Sequence, residues 1–93
     1  MKIWQVDLSK KAKKQKDSLP KTIKEQLFAL IRNIEVYGPV RDDWPNYGKL
    51  KPGHHHCHLK KGRPTYVAIW VKRDREIKLI EVIYVGTHEK APY

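Results

Sequence analysis

The hydrophobic period changes once along this chain, and the change constrains the fold more than any other feature. Ile23, Leu27, Leu30, Ile31 and Ile34 recur at steps of four, three, one and three. That is the stripe of an amphipathic helix. From residue 54 onward the apolar side chains alternate instead, with Val67, Ile69 and Val71 on one side and Tyr66, Ala68 and Trp70 on the other. Period two is the signature of a strand. Helices followed by short-turned strands give an α+β domain, with the helices segregated to one face of an antiparallel sheet.

Local signals set the expected boundaries. Lys2 to Val6 is predicted as a first strand. Ser9 to Asp17 is a short helix capped by Asp7 or Ser9 and coated by Lys10, Lys11, Lys13, Lys14 and Lys16. Pro20 fits the first turn of a second helix, with Ser18 as its cap, and Gly38-Pro39 stops it. Residues 39–53 carry Pro39, Pro45, Gly48, Pro52 and Gly53 and are predicted as a loop. Trp44, Tyr47 and Leu50 would hold that loop to the core. Three strands follow, His54 to Lys61, Thr65 to Lys72 and Ile77 to Val85, joined by turns at Gly62–Pro64 and Arg73–Glu76.

The expected architecture is an N-terminal strand, two helices and a three-stranded antiparallel meander. The helices would pack on one face of a four-stranded sheet. The middle strand of the meander, apolar on both sides, is expected to be central. Ninety-three residues leave room for one core, so residues 1–93 form a single domain. In the last strand, regular alternation groups Ile80, Val82 and Tyr84 against Leu79, Glu81 and Ile83. Glu81 is costly to bury unpaired. Cys57, Leu59, Ile80 and Val82 are therefore assigned to the core face, and His56, His58 and Glu81 to the open face.

Charge narrows the partners. Twenty Lys and Arg against ten Asp and Glu give a formal net charge of +10. Such a balance points first to nucleic acid, ahead of an acidic protein or an anionic surface. A single cysteine excludes an internal disulfide and fits the cytoplasm. The longest mainly apolar stretch, Tyr66 to Val71, is far too short to cross a membrane. The N-terminal residues lack the apolar run of a signal peptide.

The densest chemistry is His54-His55-His56-Cys57-His58, which holds four of the five histidines. Alternation puts His54, His56, His58 and Lys60 on one face. Imidazoles beside lysine suit proton transfer near a phosphate, because histidine titrates near neutral pH. His-x-His is also a spacing that zinc sites use. No second ligand pair accompanies it, only His88, so no metal ligand set is assigned. The bland alternative is a row of solvated strand histidines. Cys57 reads as a small packing residue, and the Lys10–Lys16 cluster as a solvated helix face or a contact for rRNA phosphates.

Three segments together resemble the RelE/ParE toxin superfamily of bacterial toxin–antitoxin systems. They are Asn46-Tyr47-Gly48-Lys49-Leu50 leading into His56-Cys57-His58-Leu59, the Gly62-Arg63 turn, and Val85-Gly86-Thr87-His88-Glu89-Lys90-Ala91-Pro92-Tyr93. The resemblance spans essentially the whole chain in element order and size. It is nearer to the ribosome-dependent mRNA endonucleases of RelE type. It implies basic site residues at alternate strand positions, here His56 and His58, another after the last strand, here His88, and a nearby aromatic, here Tyr93. Family members often carry an arginine near Thr65 or Tyr66. This chain has none there, and Arg63 is the nearest substitute.

The resemblance implies the toxin of a type II system, a metal-independent endoribonuclease that cuts mRNA on the ribosome and stops translation. Its partners would be a cognate antitoxin, the ribosome and mRNA, with no small-molecule cofactor. The expected catalytic set is His56, His58 and His88, with Glu81 orienting and Tyr93 completing it. Lys49, Lys51, Lys60, Arg63, Lys10 and Lys13 would bind RNA phosphates. Two alternatives stand beside this: a ParE-like toxin that inhibits DNA gyrase without cutting RNA, and an inactive relative that only binds antitoxin or RNA.

Overall fold

The computed structural model describes residues 3–60, 62–74, 76 and 78–92. The chain runs β1 (Gln5–Leu8), α1 (Lys10–Asp17), α2 (Lys21–Tyr37), β2 (Gly48–Lys51), β3 (His54–His58), β4 (Tyr66–Asp74) and β5 (Leu79–Thr87), then a 3-10 turn at His88–Lys90. The strands form one sheet in the order β1-β5-β4-β3-β2. β2 through β5 pair antiparallel, and β1 joins β5 in parallel. The α+β class and the meander are as predicted, and β4 is central. The sheet has five strands rather than four. The extra one, β2, lies inside the stretch predicted as a loop, where glycines and prolines flank a strand of only four residues.

The helices form where the sequence places them, with changes at their ends. Ser9 caps α1, its hydroxyl accepting the Ala12 N–H at 3.0 Å, a contact worth about 1 kcal/mol. Ser18 does not cap α2. It closes α1, donating its N–H to the carbonyls of Gln15 and Lys16, and Pro20 takes the capping position of α2 with no side-chain bond. Ile23, Leu27, Leu30 and Ile34 are the buried stripe of α2. β1 starts later than predicted because the N–H groups of Ile3 and Trp4 both go to the Glu35 carbonyl at the end of α2. β4 and β5 likewise run two residues past their predicted ends. Of the residues given a structural or functional role above, Lys2, Lys61, Ile77 and Tyr93 lie outside the described residues.

The sheet separates two apolar clusters. The helix side joins Ala12, Leu19 and the α2 stripe to Cys57, Leu59, Ala68, Trp70, Ile80, Val82 and Val85. Trp70 is fully buried there, and its indole N–H donates to the Pro39 carbonyl at 2.9 Å. Burial pushes the Cys57 thiol up to about 12, in keeping with a packing role. The other side holds a smaller cluster of Val67, Ile69 and Tyr84, with Leu50, Ile83 and Ala91 against it.

Two bulges decide what that second face contains. Ile69 pairs with Tyr84 while Trp70 pairs with Val82, so Ile83 is an extra residue in β5. The regular alternation assumed from the sequence fails at that point. Tyr84, expected beside Ile80 and Val82 in the core, sits on the opposite face. In β2 the pairing steps from Lys49–His55 to Lys51–His54, and Leu50 is the extra residue. Leu50 packs on the outer cluster and the shift brings Lys51 to the same face, whereas Trp44 and Tyr47 pack against the main core.

Candidate active site

β3 sorts its histidines by alternation. His55 and Cys57 are buried on the helix side, and His54, His56 and His58 face outward, half-buried. His56 stands opposite Gly48 on one neighbour and Ile69 on the other. A Cβ at Gly48 would come within 3.1 Å of the His56 Nε2, so the missing side chain leaves room for the ring. His58 stands opposite Val67, and Val67 opposite Gly86. The end of β5 is thereby brought level with His58. Beyond it, the His88 N–H donates to the Thr65 carbonyl at 2.9 Å. This bond ties the start of the 3-10 turn to the strand beside it. The His88 and His58 rings then meet edge to face, with centroids 5.9 Å apart and planes at 74°.

The three rings share one electrostatic field. Burial lowers the His56 pKa, and the charges of His58 and His88 lower it further. Burial also lowers that of His58, with His88 again adding to the effect. Both shifts favour neutral imidazole at neutral pH. A neutral ring accepts a proton at one nitrogen and donates from the other. Such rings side by side can remove one proton and supply another.

No protein-family model and no curated protein sequence matches the chain. Solved structures match it over nearly its full length. A mutant of the E. coli toxin RelE in the free state superposes with a TM-score of 0.72 at 21% identity, covering 96% of this chain and 86% of that one. The archaeal RelE–RelB complex from Pyrococcus horikoshii OT3 gives 0.68 at 16% identity, covering 96% and 99%. The YoeB dimer from Staphylococcus aureus gives 0.70 at 13% identity, covering 92% and 98%. The chain has the fold of RelE-type toxins. Within this RelE-type fold the outward histidines occupy the sheet face turned away from α1 and α2.

The structure does not bring together every residue selected from the sequence. Glu81 lies opposite Val71, which lies opposite His54, so it is offset along the sheet from His58 and His88. Its carboxylate accepts two bonds from the Arg73 guanidinium, at 2.9 and 3.0 Å. Arg73, not an imidazole, is what it orients. Lys49 pairs with His55 and belongs to the helix-side row, where its charge helps depress the His55 pKa. Lys51 pairs with His54 on the outward face. Lys60 and Arg63 follow the site end of β3, half-buried and exposed respectively. Lys10 and Lys13 are exposed on α1, in the helical layer on the far side of the sheet. In that layer Lys11, with Lys90, lines a cleft of about 540 Å³ beside Gly86 and Thr87. Among the described residues no group of three or more His, Cys, Asp or Glu side chains is arranged to hold a metal ion.

Three site residues escape a reading of the sequence. Tyr84 donates its hydroxyl to the Thr87 carbonyl at 2.8 Å, immediately before His88. A Cβ on Gly86 would come within 2.8 Å of that hydroxyl, so this glycine is required by the close approach. Gly48 stands in a looser version of this relation to the His56 ring, at 3.1 Å. Neither glycine has a turn signature, and Tyr84 is hidden by the β5 bulge. Both glycines lie in segments that carry the family resemblance, and Tyr84 lies outside them.

Proposed function

We propose that the chain is the toxin of a type II toxin–antitoxin pair that cuts mRNA on the ribosome, in the cytoplasm, without a metal ion. The observation that carries this is the convergence of His56, His58 and His88 from β3 and the end of β5. In RNA cleavage one imidazole removes the proton from a ribose 2′-hydroxyl, whose oxygen attacks the adjacent phosphorus. A second imidazole protonates the departing 5′-oxygen. The depressed His56 and His58 pKa values supply the neutral form needed for the first step. Lys60 and Arg63, shortly after β3 along the chain, are assigned to the phosphoryl oxygens. Tyr93 is assigned to the same site from the family resemblance.

The partners follow from charge and from the fold. A chain of net charge +10 suits rRNA and mRNA phosphates. It equally suits neutralisation by an acidic or amphipathic antitoxin. A similar fold is found with RelB in the archaeal RelE–RelB complex, which supports a cognate antitoxin here.

Mapping RNA 5′ ends after induction tests the reading. The wild-type chain should leave cuts at codons in the ribosomal A site. Combined His56→Ala, His58→Ala and His88→Ala should lower cutting on the order of a hundredfold or more, from the usual worth of general acid–base catalysis, while circular dichroism shows an intact fold. Full toxicity in the triple variant, or DNA damage with intact mRNA, would overturn it.

A further inference from the structure

The outward face holds a second feature beside the imidazoles, a cleft of about 370 Å³ lined by Leu50, Lys51, His54, Ile69, Ile83 and Pro92. Its volume is at the small end of the roughly 300–1,000 Å³ range of small-ligand sites. We infer that it receives one nucleobase of the RNA strand, on the side of the scissile phosphate toward the start of β3. The inference rests on the nuclease reading above and adds a base-reading subsite to it.

Four observations carry it. The cleft lies beside two of the sheet's register shifts, since Leu50 and Ile83 are extra residues of β2 and β5. Each shift adds a neighbour to this face, Lys51 next to Leu50 and Tyr84 next to Ile83. Its walls are apolar, with Ile69 from the central strand and Pro92 from the chain's end. Flat aliphatic surfaces of this kind suit the faces of a base. Its rim is polar and cationic, from Lys51 and His54. The His54 Nδ1 lies 3.2 Å from the Pro52 carbonyl, which places the ring's proton there and turns Nε2 into an acceptor while the ring is neutral. An acceptor beside an ammonium can distinguish an exocyclic amine from a carbonyl on a base edge. Finally, the cleft is continuous with the catalytic face. His54 precedes His56 by one alternation, roughly 7 Å along the strand, and Ile69 is the direct partner of His56. An RNA strand with a phosphate at His56 and His58 would run along the same row to His54.

Two measurements test this. In the first, the full chain is titrated with the four nucleoside 5′-monophosphates and with inorganic phosphate, followed by NMR. The nucleotides should shift resonances of Leu50, His54, Ile69 and Ile83, with the best base favoured about tenfold over the worst, the scale of a single base-edge contact. Inorganic phosphate should leave Leu50, Ile69 and Ile83 unmoved. In the second, cut sites are mapped for His54→Ala, which removes the acceptor, and for Ile83→Phe, which fills the cleft. Both should flatten the nucleotide preference next to the cut by about tenfold. His54→Ala removes a half-exposed side chain and protects the test against a folding failure in the other variant. Unchanged preference in His54→Ala, or nucleotides that shift only His56, His58 and His88, would overturn the subsite. Nucleotide binding in the cleft without any mRNA cutting would uphold the subsite and sink the nuclease reading instead.

Discussion

At the scale of single residues the site is a problem of like charges. His56 and His58 are each made harder to protonate by burial and by His88. Removing the His88 ring removes its part of that opposition. In His88→Ala the titration midpoints of His56 and His58 should therefore rise toward the ordinary value near 6.5. Imidazole proton chemical shifts followed against pH would show it. Midpoints that stay put would mean that the three rings are not coupled, and the acid–base pairing would lose its basis. The two strand histidines were legible from alternation, because β3 is regular between His54 and His58. His88 was not, since nothing in a polar tail marks the bond from its N–H to Thr65. It was found through the family resemblance. Glu81 was misjudged because sharing a face does not mean sharing a position along the strand, and Arg73 holds it.

At the scale of elements the end of β5 is a strut. The bulge at Ile83 turns Tyr84 outward, its hydroxyl meets the Thr87 carbonyl, and Gly86 leaves the space in which that contact forms. The 3-10 turn carrying His88 begins on that support. Gly86→Ala puts a methyl within 2.8 Å of the Tyr84 hydroxyl, so the ring must move. The expected cost is about 1–3 kcal/mol of stability, as for overpacking elsewhere. Cleavage should fall by more than the stability loss explains, because His88 is displaced from His58. Tyr84→Phe, which loses one hydrogen bond, should cost only about 1 kcal/mol. Urea unfolding together with single-turnover cleavage separates the two effects, and equal activity in Gly86→Ala would refute the strut. Helices and meander were legible because long periodic segments announce themselves. The bulge and the four-residue β2 were not, since each depends on pairing across the sheet and leaves no period in the sequence.

At the scale of the whole molecule the sheet separates a helical side from an imidazole side, and one histidine belongs to the wrong one. His55 is 4% exposed, stacked on Trp70 at 5.9 Å, and bonded through Nδ1 to the Tyr47 hydroxyl at 2.7 Å. Burial, with the charges of Lys49, Lys72 and His54, lowers its pKa to about 4. In the unfolded chain the same ring takes its proton near 6.5. Between those two values the unfolded state binds more protons. Stability should accordingly be full above pH 6.5, fall as pH is lowered toward 4, and change no further from this group below that. The loss from His55 is at most roughly 3 kcal/mol. His56 and His58 act in the same direction, and so does the growing self-repulsion of a chain already at +10. Salt separates the contributions, because it screens repulsion between surface charges but scarcely touches a buried imidazole. Urea midpoints at pH 7, 5.5 and 4 in high salt should still decline for the wild-type chain. His55→Phe keeps a ring against Trp70 and cannot titrate, so its decline should be visibly shallower. An identical slope in the variant would place the acid sensitivity in the outward histidines, and the pH range of folding would then be set by the imidazole face instead of the core.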